Sequence, residues 1–375
     1  MTDGTLPEPD RIDGAPHPRE TATLYGQSAA EGAFLEACGT GRLHHGWLLT
    51  GPPGVGKATL AWRIARFLLA SPPNAGDGLF GAPPPPATLD IAPDHPVARH
   101  MRAGAEPGLF VLRRGPNEKG DRLSADIRVD EVRRLRNFLH LSAADGGRRV
   151  VIVDAADELN PSAANALLKL LEEPPAAVTL LLVCHRPSGL LPTIRSRCRE
   201  LRLATLAPDD LARALAGAGI ASDDPGALAT LSGGSVGAAI RLANLDGLDT
   251  YRAIVQLFAG LPRLDRTSAL RLADMAGARG AEARFDLILT LMDMFLARLA
   301  RAGISGVVGP EAAPGEAGVF ARLAPDHGAA RAWAELQQTV GARARQGRAV
   351  NLDPAALLLD MIFKIDQTAG QLAPR

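Results

Sequence analysis

An α/β domain built on a parallel sheet, followed by an all-helical second half, is the fold class this sequence predicts, and three observations predict it. A glycine-rich loop, Gly51-Pro52-Pro53-Gly54-Val55-Gly56-Lys57, sits between an apolar run and a helix-forming run. Five short β-branched or leucine-rich runs alternate with helical stretches, the pattern of a sheet covered on both faces. Beyond about residue 205 no further strand signal appears.

In chain order, residues 1–20 carry Pro, Gly, Asp and Glu with little apolar content and read as a flexible leader. A first globular domain is expected over 21–205. Its strands are Trp47–Thr50, Leu109–Leu112, Val150–Val153, Leu180–Val183 and Glu200–Leu203. One helix is expected over Asp130–His140, with Val132, Leu135 and Leu139 on one face and Asp130 as N-cap. Another is expected over Ser162–Glu173, stopped by Pro174-Pro175. The Pro-, Gly- and Ala-rich stretch 71–95 reads as a surface insertion. A small helical domain over 206–247 includes the turn-like Leu231-Ser232-Gly233-Gly234-Ser235. An all-α domain then fills 248–375. Its clearest helix is Arg284–Arg298, and its last is introduced by Asp353-Pro354, an N-cap followed by proline at the first helical position. Self-contained packing and oligomer assembly both suit such a bundle.

Composition narrows the class. At 375 residues the chain has room for two or three domains, and 46% hydrophobic content supplies a core. Forty-one basic residues cancel forty-one acidic ones, so any nucleic-acid contact has to be local. Cys38, Cys184 and Cys198 form no paired framework, no apolar run approaches a membrane span, and the N-terminus has no signal-like apolar core. A cytoplasmic protein is expected.

The chemistry lies in the loop. Gly51, Pro52, Gly54, Val55 and Gly56 turn backbone N–H groups toward phosphate oxygens, and Lys57 reaches the terminal phosphates from the start of a helix. The next position normally carries a hydroxyl that holds Mg²⁺, but here it is Ala58, with Thr59 one place late. Arg149-Val150-Val151-Ile152-Val153-Asp154 is a buried strand ending in a carboxylate, either a second phosphate- and metal-side element or an acid that starts a turn. Ala155 follows, where a water-activating base would be needed. Asp157 and Glu158 lie further on and are expected to be solvated.

The chain resembles the clamp-loader members of the AAA+ ATPases over nearly its whole length. The resemblance rests on the loop, on Asn165-Ala166-Leu167-Leu168-Lys169-Leu170-Leu171-Glu172-Glu173-Pro174-Pro175, and on Leu190-Leu191-Pro192-Thr193-Ile194-Arg195-Ser196-Arg197-Cys198. It implies an AAA+ P-loop domain, a helical lid and a C-terminal collar. It also implies that Arg197, which the residues alone would leave as a surface arginine, is a finger pointed into a neighbouring subunit's ATP site. Guanidinium suits that task because it is always charged and planar. His185 stands at the family's first sensor position, either touching phosphate or solvated. Gly237 replaces the arginine of the second sensor, and Arg241 lies one turn further on.

Expected partners are tau/gamma-type motor subunits and a delta subunit in a five-subunit ring, with the sliding clamp and primer–template DNA met through that ring. ATP or ADP is expected to bind without hydrolysis. No zinc is expected, since no cysteine lies between Cys38 and Cys184 where many relatives carry a four-cysteine module. The alternative is an active tau/gamma-like ATPase working through Lys57, Thr59 and Asp154. The arginine clusters Arg133-Arg134-Arg136 and Arg343, Arg345, Arg348 read as solvated helix faces.

Overall fold

The structure is a computed structural model and describes residues 8–39, 43–71, 86–141, 147–278 and 280–373. Five strands, β1 (Gly46–Thr50), β2 (Leu109–Arg113), β3 (Arg149–Asp154), β4 (Val178–Val183) and β5 (Arg199–Arg202), form one parallel sheet. Their order is β2-β3-β4-β1-β5. All five fall within two residues of the expected runs; β1, β3 and β4 are buried on both faces and leave an unbroken apolar signal, whereas the edge strand β5 buries only Leu201.

Register explains how the sheet is buried. Leu48 lies beside Leu182, Val153 beside Leu182 on the other side, and Leu112 beside Val153. With Val151 and Leu180 these side chains form one core cluster with Val132, Leu135, Leu139, Leu167 and Leu171 of the helices Val129–Leu141 and Pro161–Glu172. Trp47, one residue out of phase with Leu48, packs on Phe34 of the helix Ser28–Gly39 with ring centroids 4.9 Å apart. The expected helix starts need small corrections. Asp130 lies inside its helix, which begins at Val129. The following helix begins at Pro161 and is capped by Asn160, whose side chain accepts the Ala163 N–H. Of the expected insertion over 71–95, residues 72–85 lie outside those described, and its last residue, His95, caps the helix Pro96–Ala103 that follows.

Contacts divide the chain into two units: Met1–Gly219 with Gly234–Gly237, and Ile220–Gly233 with Ala238–Arg375. The expected boundary at 247/248 is not where the division falls. Arg252, on the helix Gly247–Ala259, pairs at 3.4 Å with Asp224, the N-cap of Pro225–Ser232, which ties the two stretches together.

The second unit is wholly helical among its described residues. The helix expected over Arg284–Arg298 runs from Glu282 to Ser305. Phe258, Phe295 and Phe320 pack in sequence, tilted and then edge-on, with centroids 5.0 and 5.3 Å apart. Glu316 is fully buried, accepts from Arg298 through both oxygens at 2.9 Å, and also accepts from the Tyr251 hydroxyl and the Ala312 N–H. Asp353 caps the last helix, Pro354–Leu372, through Ala356 N–H. Arg343, Arg345 and Arg348 each hold an aspartate, namely Asp360, Asp293 and Asp286. Among the described residues no helix is long and apolar enough to cross a membrane.

Candidate functional site

The glycine loop joins β1 to the helix Lys57–Ala70 at the C-terminal edge of the sheet, where α/β sheets hold ligands. Gly51, Gly54 and Gly56 have φ of 139°, 76° and 103°, a region that side chains disfavour. Space is short there as well. A Cβ would lie 2.4 Å from Leu203 O at Gly51, 2.4 Å from Ser235 Oγ at Gly54, and 2.5 Å from Leu24 Cδ1 at Gly56.

Three contacts pin the loop from distant parts of the chain. Gln27 donates through Nε2 to Val55 O at 3.1 Å and Ala204 O at 2.8 Å, and its Oε1 accepts Ala204 N–H. Ser235 Oγ donates to Pro53 O at 2.9 Å, and Gly237 N–H donates to Gly54 O at 3.0 Å.

Lys57 is 3% exposed, and its Nζ donates to Gly51 O and Pro52 O, both at 2.6 Å. Burial lowers its pKa to about 8, against the raising effect of Cys184, Asp154 and Asp157. The cradle and the first-turn N–H groups of the helix fit a polyphosphate. The residue set does not fit a hydroxyl-ligated Mg²⁺, because Ala58 offers the first turn only a methyl group.

Asp154 ends β3 on the same edge of the sheet. Burial raises its pKa to about 7, with Asp10 and Glu158 adding to the rise and Lys57 and Arg113 opposing it. Ala155, 3% exposed, follows it with no oxygen to polarise a water. Asp157 is not solvated as expected, for its side chain is 3% exposed. Burial alone would raise its pKa, but the His185 N–H bond at 2.9 Å and Arg186 at 3.5 Å hold it below the usual carboxylate value. His185 is correspondingly half-buried and anchored, not a free loop histidine. Glu158 pairs with Arg114 at 2.9 Å.

The stretch read as a flexible leader is held down over residues 8–20. Asp10, with its side chain 2% exposed, accepts from Arg113 Nη1 at 2.6 Å, and Glu8 accepts from Arg113 and Arg19. His17 is fully buried. Its polar composition concealed this, because the charges find partners in place of water.

Gly237, expected at the second-sensor position, is closely packed, so a side chain there would push its neighbours aside. A Cβ there would lie 3.0 Å from both Gly54 Cα and Ile12 Cδ1. Arg241 is exposed on the helix Val236–Asn244.

The structure brings Gly51 through Thr59 together with Asp154, but it sets Arg197 apart. The Arg197 carbonyl oxygen is 3.2 Å from the Cβ position of Gly46, the first residue of β1. The phosphate loop leaves the other end of that strand. Five residues of strand separate the two edges, about 16 Å at ~3.3 Å per residue. The guanidinium donates to Thr193 O at 3.0 Å and pairs with Glu172 at 3.0 Å.

The profile of a family described as DNA polymerase III, delta subunit, matches residues 26–207. Against DNA polymerase III subunit delta' of Pseudomonas aeruginosa the chain is 40% identical over 228 residues, 59% of this chain and 61% of that one. Against subunit delta' of Escherichia coli K12 it is 30% identical over 338 residues, 87% of this chain and 90% of that one. Against DNA polymerase III subunit tau of Salmonella typhimurium it is 31% identical over 193 residues, 50% of this chain and 26% of that one. The delta' likeness runs through sheet and helical bundle alike, and the chain belongs to the family of DNA polymerase III delta' subunits.

Proposed function

We propose that this chain is a clamp-loader subunit whose own phosphate pocket performs no hydrolysis and which lends Arg197 to an adjacent ATPase subunit. The observation that carries the reading is the position of Arg197 at the sheet edge opposite the loop. A side chain there is too far from Lys57 to serve the pocket of its own domain, so any phosphate it meets belongs to another chain. Ala58, Ala155 and Gly237 support the same reading, since metal grip, water activation and a γ-phosphate cation are missing together.

In the free chain the guanidinium rests on Glu172 and the Thr193 carbonyl. Both contacts are surface contacts and cost little to exchange for a transferring phosphoryl group. The neighbours are motor subunits of tau/gamma type, with a delta subunit completing a five-membered ring formed through the helical second unit. The ring's work is to open the sliding clamp and place it on primer–template DNA in the cytoplasm. Contact with DNA goes through its phosphate backbone.

The test is ATP hydrolysis by the reconstituted ring, stimulated by clamp and primed DNA, with Arg197→Ala in this chain alone. Removing a finger costs ~10³-fold or more at the site it serves, so stimulated turnover should fall clearly although this chain's loop is intact. An unchanged rate rejects the finger. Turnover by the isolated chain at the level of a motor subunit rejects the idle pocket and favours an active tau/gamma-like ATPase.

A further inference from the structure

We propose that residues 8–20 are a built-in cover over this chain's own nucleotide pocket, so that a nucleoside di- or triphosphate binds only when the segment is displaced. The inference rests on reading the glycine loop as a phosphate cradle, and it does not depend on Arg197.

The segment is anchored to the elements that make the pocket. Ile12 Cδ1 stands 3.0 Å from the Cβ position of Gly237, at the point where Gly237 N–H bonds the Gly54 carbonyl of the loop. Asp10 bonds Arg113, the last residue of β2, which lies in register beside Asp154. His17 meets Trp62 edge-on, with ring centroids 5.6 Å apart, on the helix that begins at Lys57. Its Nδ1 accepts the Arg19 N–H at 3.0 Å, and its Nε2 stands 3.0 Å from Asp10 Oδ2. Arg66 of the same helix donates to Arg19 O at 2.8 Å. The segment thus runs from the Asp154 side of the sheet, over the loop and onto the helix behind it.

Two consequences oppose a nucleotide. Ile12 packs beside the Gly54–Gly237 contact at the loop's flank, so a ligand that shifts the loop has to move it. Asp10 places a carboxylate at this edge of the sheet, which repels a polyphosphate, and it occupies Arg113, a cation that would otherwise favour one. The contacts are ion pairs, hydrogen bonds and one aliphatic side chain, so the cover can open. The apparent affinity for nucleotide is then the intrinsic affinity multiplied by the fraction of chains that are open.

The experiment measures binding of a fluorescent ADP analogue to the full chain and to its Asp10→Asn/Ile12→Ser variant. Neither residue belongs to the loop or to Asp154. The variant should bind about tenfold more tightly. In the unsubstituted chain, saturating ADP should speed hydrogen exchange across residues 8–20, a readout that needs no variant. Equal affinity in the two chains, including no binding by either, overturns the proposal, as does nucleotide binding that leaves exchange over 8–20 unchanged. Neither measurement involves the ring, so its failure is separate from failure of the finger.

Discussion

Asp154→Asn should make the protein more stable at pH 8 and change little at pH 4. A carboxyl whose pKa is raised from 3.8 to about 7 keeps a proton in the native state that the unfolded chain has already released. Its contribution therefore favours the native state fully below 3.8 and is lost as pH rises through about 7. Burial is the main cause, with the Asp10 and Glu158 charges adding to it. At roughly 1.36 kcal/mol per tenfold change in proton affinity, the ionised form is disfavoured by up to ~4 kcal/mol. Asp154 is not wholly closed to solvent, and screening brings the expected difference to ~2 kcal/mol. Urea unfolding of both proteins at several pH values from 4 to 8 reads it directly, because the asparagine does not titrate. The stability gap between the two should open across this range. Parallel curves, or a gap that closes toward pH 8, would refute the argument that Asp154 is held in a desolvated, negatively charged setting.

Other perturbations follow from contacts already described. Gln27→Leu removes the hydrogen bonds that join the glycine loop to Ala204 and should cost about 2 kcal/mol in urea unfolding; a loss under half that would show the bonds to be incidental. Gly237→Arg should not restore nucleotide affinity, and overpacking against Gly54 and Ile12 should destabilise the fold by ~1–3 kcal/mol, so tighter ADP binding by that variant would contradict the steric account. Glu316→Gln in the helical unit leaves the half-buried Arg298 without its carboxylate and should cost about 3 kcal/mol. Glu316→Leu/Arg298→Leu together should cost less than the single change, as a double-mutant cycle in chemical denaturation would reveal.

The parts of this fold that the sequence announced are those whose signals are local. A loop of three glycines and a lysine after an apolar run can be read without any tertiary knowledge. So can Arg149–Asp154, whose β-branched residues are buried on both faces. Arg197 was singled out only through the motif around it, since a lone arginine after a short helix carries no chemistry of its own. What stayed hidden depends on pairings across long separations. Asp10 meets Arg113 across 103 positions, and Ser235 meets Pro53 across 182. Periodicity has no reach over such distances, so a polar stretch with buried partners reads the same as a solvated one. Asp157 failed for a related reason: its place past the strand end suggested water, yet the chain beyond β4 folds back and supplies the His185 N–H.

With a cation at one rim of the sheet and a cradle for anions at the other, the first unit has a direction, much as a magnet has two poles. Two such units related by a twofold axis cannot satisfy both rims across a single contact, because joining one rim to its complement carries the remaining pair out of reach. Any association that matches guanidinium to phosphate therefore runs head to tail, and it grows until it closes as a ring or meets a member with nothing to accept.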